Sequence, residues 1–195
     1  MDKKIALAKV KPHLTNKRYV HTIGVLNTAV SLVEEKEIDI DIEAIRLAAI
    51  FHDYAKYRPA EELRNILQEN GQDQFLHYGE EVLHAPAGAY LVRKELGITN
   101  EKILSAIFWH TTGKRNMNMY EKILYLSDYI EPNRSFPGVD EVREVAKESI
   151  DQAIVLALRN TITFLVNKRQ LIFPETVHAY NDMLNQLKRE DDSGE

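Results

Sequence analysis

The sequence predicts an all-α protein, and three observations carry that reading. Apolar residues recur at helical spacing along most of the chain, glycines and prolines punctuate those runs, and no segment alternates long enough to make a strand. The first expected helix spans about 16–35 and carries Val25, Ala29 and Leu32 on one face. A second, about 41–55, begins where Asp41 can accept hydrogen bonds from first-turn N–H groups. Pro59 suits the first turn of a third, about 59–69, and Gly71 follows its end. Helices over about 86–96 and 100–112 are closed by Gly97 and Gly113, and another covers about 118–130. One long helix is expected over about 139–168, with Val142, Val145, Ala146, Ile150, Ala153, Ile154, Ala157, Leu158, Ile162, Leu165 and Val166 as a packing stripe. The last, about 174–189, opens at Pro174. The stretch before residue 16 reads as a polar leader.

At 195 residues the chain is expected to form a single domain, residues 1–195. It has no cysteine, which excludes disulfides, thiolate metal sites and cysteine nucleophiles and is compatible with a cytoplasmic setting. No long apolar run supports secretion or membrane spanning. A net charge of −5 argues against a broad nucleic-acid surface, although the first eighteen residues are locally basic and the tail after Glu190 is acidic. Internal repeats and low-complexity segments are absent from the sequence.

Six polar residues interrupt this apolar pattern. His52 continues the stripe Ile45, Ala48 and Ala49, and Asp53 is next to it; His110 continues Ile103, Ala106 and Ile107. His21 shares a face with Val25 and Ala29, and Asp128 follows Leu124 by one turn. His84 precedes Ala85-Pro86 and is expected just outside a helix mouth. A lone buried histidine is usually a hydrogen-bonded core residue. Four histidines and two carboxylates at helical interfaces are better explained by shared divalent ions, because imidazole nitrogens and carboxylate oxygens are the ligands such ions take. The set therefore points to a metal-dependent hydrolase. His13, His77 and His178 are assigned to surface or local structure, His77 also being a candidate for the pocket mouth. Glu81-Val82-Leu83-His84 and Glu175-Thr176-Val177-His178 have the spacing of ferritin-like carboxylate bundles, but Pro86 and the lack of further buried glutamates count against that reading. A His-Glu-x-x-His motif, a phosphate-binding loop and a dinucleotide loop are all absent from the sequence.

The ordered series His21, His52-Asp53, His84, His110 and Asp128, at intervals of 31, 31, 26 and 18 residues, resembles the HD-domain metal-dependent phosphohydrolases over about residues 18–134. His52-Asp53-Tyr54-Ala55-Lys56, His110-Thr111-Thr112-Gly113-Lys114 and Ser127-Asp128-Tyr129-Ile130-Glu131-Pro132-Asn133-Arg134 look like its bacterial YqeK-type branch. The resemblance implies a helical bundle around a buried dinuclear centre. Asp53 would bridge two ions, with His21, His52 and Asp128 on one and His84 and His110 on the other. It further implies symmetrical hydrolysis of diadenosine tetraphosphate to two ADP by a metal-bridging hydroxide, with iron as the first choice of metal and manganese, cobalt, nickel or zinc as alternatives.

A carboxylate shared by two ions about 3.5–4 Å apart suits such chemistry, which depends on positioning and charge neutralisation. Lys56, Lys114 and Arg134 are candidate phosphate contacts, Lys56 being also a catalytic candidate beside Asp53; Thr111, Thr112 and Gly113 complete the candidate substrate set. Tyr54, Tyr57, Tyr90, Phe108 and Trp109 lie near ligand segments, and none is singled out for base stacking. The partner expected is a small nucleotide, with no stable nucleic-acid partner and no membrane, and an exposed face of the 139–168 helix would suit a homodimer. The alternatives are a nucleoside mono- or diphosphate phosphatase and a catalytically silent nucleotide sensor.

Overall fold

Ten α-helices run through the described residues of the computed structural model, which comprise the backbone of residues 1–193 and the side chains of residues 1–189. The acidic tail expected after Glu190 lies outside those side chains. In order the helices are α1 (Lys3–Val10), α2 (Asn16–Glu35), α3 (Ile42–Phe51), α4 (Ala60–Glu69), α5 (His84–Leu96), α6 (Glu101–Trp109), α7 (Met119–Ile130), α8 (Val139–Glu148), α9 (Ile150–Asn167) and α10 (Pro174–Ser193). Short 3-10 turns at Lys11–His13, Asp73–His77 and Glu80–Val82 join them, and no strand occurs among the described residues.

Capping groups account for most of the helix starts. Thr15, Asp41, Asn100 and Ser149 accept from backbone N–H groups at the start of α2, α3, α6 and α9, and Asn118 forms a reciprocal capping box with Glu121 on α7. Gly97 ends α5 in the left-handed region at φ 66°, which glycine enters without steric cost.

Several boundaries differ from expectation. The supposed leader contains α1, whose Ala6 and Val10 are buried and which packs on α3. These two apolar residues were hidden among lysines. The helix expected over 139–168 is divided at Ser149, whose extended backbone (φ −140°, ψ 123°) ends α8 while its hydroxyl accepts from Gln152 N to start α9. Continuous apolar periodicity concealed the break. Lastly, α3 and α6 end before the expected residues 55 and 112, with direct consequences for the site.

The core extends from Ala6 to Met183 and contains Phe51, Ile50, Leu26, Ile123 and Leu124. Helix α7 is its axis, touching α2, α3, α6, α8 and α9. A helix enclosed on so many sides must partner its polar residues. Buried Lys122 accordingly donates to Asp151 at 2.9 Å, tying α7 to α9. No described helix is long and apolar enough to cross a membrane.

Candidate metal centre

His52 and His110 occupy the first position past the ends of α3 and α6, where backbone carbonyls have lost their helical partners. Each ring turns back to meet the carbonyl three residues earlier: His52 Nδ1 lies 2.7 Å from Ala49 O, and His110 Nδ1 lies 2.7 Å from Ile107 O. His84, the first residue of α5 rather than a residue outside its mouth, does the same with Glu81 O at 2.8 Å. A carbonyl only accepts, so in each ring Nδ1 carries the proton and Nε2 presents a lone pair. His21, on α2, points Nδ1 at the buried Glu131 carboxylate, 3.0 Å from Oε1.

The four Nε2 atoms then converge on Asp53. His52 Nε2 is 3.1 Å and His21 Nε2 3.7 Å from Oδ2, whereas His84 Nε2 is 3.2 Å and His110 Nε2 4.0 Å from Oδ1. Asp128 Oδ1 sits 3.0 Å from His21 Nε2 and 3.9 Å from His52 Nε2. The two oxygens of one carboxylate thus face two different imidazole pairs. His52 and Asp53 can meet there because the helix has stopped. Neighbours on a regular α-helix diverge by about 100°, but past Phe51 the chain tightens into three-residue turns, Tyr54 N to Phe51 O at 3.0 Å and Lys56 N to Asp53 O at 2.9 Å.

These contacts have the chemistry of a cation site. The Nε2 atoms of His21 and His52 are 3.3 Å apart and those of His84 and His110 3.2 Å, and in neutral rings whose proton sits on Nδ1 nothing links either pair. Lone pair faces lone pair, a spacing that two ligands of one ion adopt when each bond is about 2.1 Å. Asp53 Oδ2 is buried and makes no well-formed hydrogen bond, its charged neighbour being the Arg18 guanidinium at 3.0 Å. Two groups, His21/His52/Asp53 and Asp53/His84/His110, can each hold an ion, and they share Asp53.

Electrostatics agree. Burial works against the charged forms of Asp53 and Asp128, but His52 and His84 outweigh it at Asp53, as Arg134 and His21 do at Asp128, so both carboxyls stay well below the usual carboxylate range. At His52 burial opposes protonation but Asp53 prevails and raises its pKa. Burial, reinforced by His52 and His84, lowers His110 to about 3.

The remaining candidates separate. Thr111 Oγ1 is 3.5 Å from His84 Nε2, and Lys56 Nζ lies 3.5 Å from His84 Nδ1 and 2.8 Å from the exposed Glu81. Arg134 is drawn onto Asp128, its Nη2 donating to Oδ1 at 2.7 Å and its Nε to the carbonyl at 3.0 Å. Three others face elsewhere. Lys114 pairs with buried Glu121 at 3.3 Å and lines a separate cavity with His77 and Trp109; Thr112 donates to Gly113 O; and Gly113, at φ 64°, packs against α10, where a Cβ would lie 3.2 Å from Ala179. Of the remaining histidines, His13 packs at a tilt against Tyr54 with centroids 4.3 Å apart, and His178 contacts Glu175 at 2.8 Å.

Sequence reasoning missed two residues here. Arg18 stands one helical turn before His21, with Nη1 3.0 Å from Asp53 Oδ2; its position three residues ahead on the same face was the available signal. Glu131 orients His21 and is itself held by Asn133 N and Nδ2, both at 2.8 Å. Gly24 makes room for it, since a Cβ there would overlap Glu131 Oε2.

Comparison with known proteins places this arrangement. The HD domain family model matches residues 18–133, more than half of the chain. The chain is a member of the HD domain family. Its HD-domain relatives include a symmetrical bis(5'-nucleosyl)-tetraphosphatase of Halalkalibacterium halodurans, 52% identical and covering 96% of this chain and 100% of that protein. Another of that name from Bacillus subtilis is 48% identical, covering 93% and 97%, and one from Staphylococcus aureus is 38% identical. Among solved structures, an HD superfamily hydrolase of Clostridium acetobutylicum, described as involved in NAD metabolism, superposes with a TM-score of 0.88 at 36% identity, covering 95% of this chain and 98% of that one.

Proposed function

We propose that this protein hydrolyses dinucleoside tetraphosphates symmetrically, converting diadenosine tetraphosphate and water to two ADP. The observation that carries the hydrolytic reading is the division of the Asp53 carboxylate between two imidazole pairs, and the full-length similarity to symmetrical tetraphosphatases supports the substrate. In this reading His21, His52, Asp53 and Asp128 would hold one ion and Asp53, His84 and His110 the other. Iron is proposed first, and the cytoplasm is the proposed setting. When bound, such ions supply an activated water near neutral pH and neutralise phosphoryl charge.

The chain's own groups do the positioning. The carbonyl and carboxylate partners of Nδ1 hold the proton of each neutral ring on Nδ1 and aim each Nε2 inward. Arg18, Lys56 and Arg134 surround the centre with positive charge where a tetraphosphate chain would cross it. The hydrogen bond that holds Lys56 goes to the exposed Glu81, so a phosphate oxygen can replace that contact at small cost.

Product analysis tests this. Anaerobically purified protein supplied with ferrous iron, manganese or cobalt should yield ADP alone from diadenosine tetraphosphate, with one solvent oxygen entering one of the two products. Asp53→Ala should lose at least about 10³-fold in kcat/KM, the scale of losing metal-assisted charge stabilisation. Formation of ATP plus AMP, or faster phosphate release from mononucleotides, would refute the assignment. Tight nucleotide binding without turnover under any of these metals would make the protein a sensor.

A further inference from the structure

Beside the metal centre, between α7, α9 and the 131–138 loop, opens a cavity of about 680 Å³, within the usual range for small-molecule sites. His110, Asp128 and Arg134 belong to both the centre and the cavity, so a phosphate chain lying on the ions has a direct route into it. Asp128 and Arg134 are the only Asp, Glu, Lys or Arg among its described lining residues, the rest being mainly aromatic, amide and hydroxyl. Tyr129 and Phe136 meet edge to face with centroids 5.1 Å apart, and Phe164, although 57% exposed, lines the cavity from α9. Asn160 and Thr161 add an amide and a hydroxyl to its lining.

We infer that this cavity holds one nucleoside of the substrate, its base against Tyr129, Phe136 and Phe164, with Arg134 at the phosphates between base and ions. The inference rests on the proposed nucleotide reading and specifies it. With a charged pair shared with the centre, amides and hydroxyls, and three aromatic rings, the cavity offers partners for the phosphate, ribose and base of a nucleotide. A phosphate or diphosphate alone would leave the aromatic wall unused. Base-on-aromatic stacking needs only a π-face, so the pocket should favour purines by area rather than read one base by hydrogen bonds. The aromatics considered from sequence are placed otherwise: Phe108 and Trp109 pack on Phe75, Tyr90 packs on Phe108, and Tyr54 packs on His13. Arg18, Lys56 and Tyr57 are not among the residues that line the cavity.

Calorimetric titration of the metal-loaded protein with ADP and with inorganic diphosphate tests the pocket directly. Phe136→Ala and Phe164→Ala should each weaken ADP binding about 5- to 100-fold while leaving diphosphate affinity and metal content as in the wild type. Phe164→Tyr, which keeps a ring on an exposed site, should restore ADP binding. Equal loss of ADP and diphosphate would show that these rings merely support the centre, and unchanged ADP affinity would place the base elsewhere; either overturns the inference. The two readings fail separately. Unchanged ADP affinity in variants that still split diadenosine tetraphosphate defeats the pocket alone, whereas a selective ADP loss in a protein that never splits the dinucleotide upholds the pocket and defeats the proposed reaction.

Discussion

Three of the four converging imidazoles are aimed by one device, a histidine at a helix end whose Nδ1–H answers the carbonyl three residues back. His21 has no free carbonyl to use in mid-helix, and Glu131 takes that place with a charged acceptor. A carboxylate behind an imidazole increases its basicity toward a cation, and losing such a partner typically costs 10- to 100-fold in metal affinity. Glu131→Gln should therefore raise the metal dissociation constant by about that factor with the fold retained, as measured by competition with a chromophoric chelator. Acid should act through His110. Its ordinary pKa of 6.5 falls to about 3 in the folded chain, so the unfolded chain takes up a proton first and folding stability drains away as pH falls from 6.5 toward 3. The raised pKa of His52 acts in the opposite direction. In chelator-treated protein, His110→Gln should flatten the dependence of the thermal midpoint on pH between 6.5 and 4, and an unaltered slope would count against His110 as its source.

Helix ends decide more than helix middles. The positions of α2, α4 and α7 were readable from apolar spacing, helped at α4 by Pro59, because a strong amphipathic run has one favourable face to bury. The ends of α3 and α6 were not readable, since Tyr54-Ala55 and Thr111-Thr112 continue plausible helical sequence and the tightening there depends on what the two histidines meet across the bundle. At Ser149 a cap lay in plain view, Ser149 followed three residues later by Gln152, and the apolar stripe on either side outweighed it. Ser149→Ala should lower unfolding free energy by about 1 kcal/mol, the usual value of an N-cap, without changing turnover because α9 keeps its contacts with α7 and α10. Denaturant unfolding alongside steady-state kinetics would check both halves of that statement.

At the scale of the whole molecule, the six ligand candidates come from α2, the turn after α3, α5, the residue after α6, and α7, so ions bound there join five parts of the chain. Anything that binds the folded form and not the unfolded one stabilises it, by about 4 kcal/mol at a thousand times the dissociation constant. Addition of a strong chelator should accordingly lower the thermal midpoint by several degrees in a fluorescence melt, and Asp53→Ala should abolish the difference between loaded and chelated protein. A midpoint indifferent to chelator would mean that the cluster holds no ion under those conditions.

The sequence by itself determined the all-helical architecture and the set of polar residues placed where apolar ones belong, because both are written in local spacing: a 3.6-residue period, caps, and histidines within apolar stripes. Tertiary structure alone decided that the Asp53 oxygens divide between two imidazole pairs, that Arg18 and Glu131 join the centre while Lys114 and Gly113 face other parts of the fold, and that Tyr129, Phe136 and Phe164 wall a shared cavity. Spacing along one helix shows which way a side chain points, but distances between side chains from different helices are set by how whole helices pack, and that packing is settled by the sum of all their buried contacts.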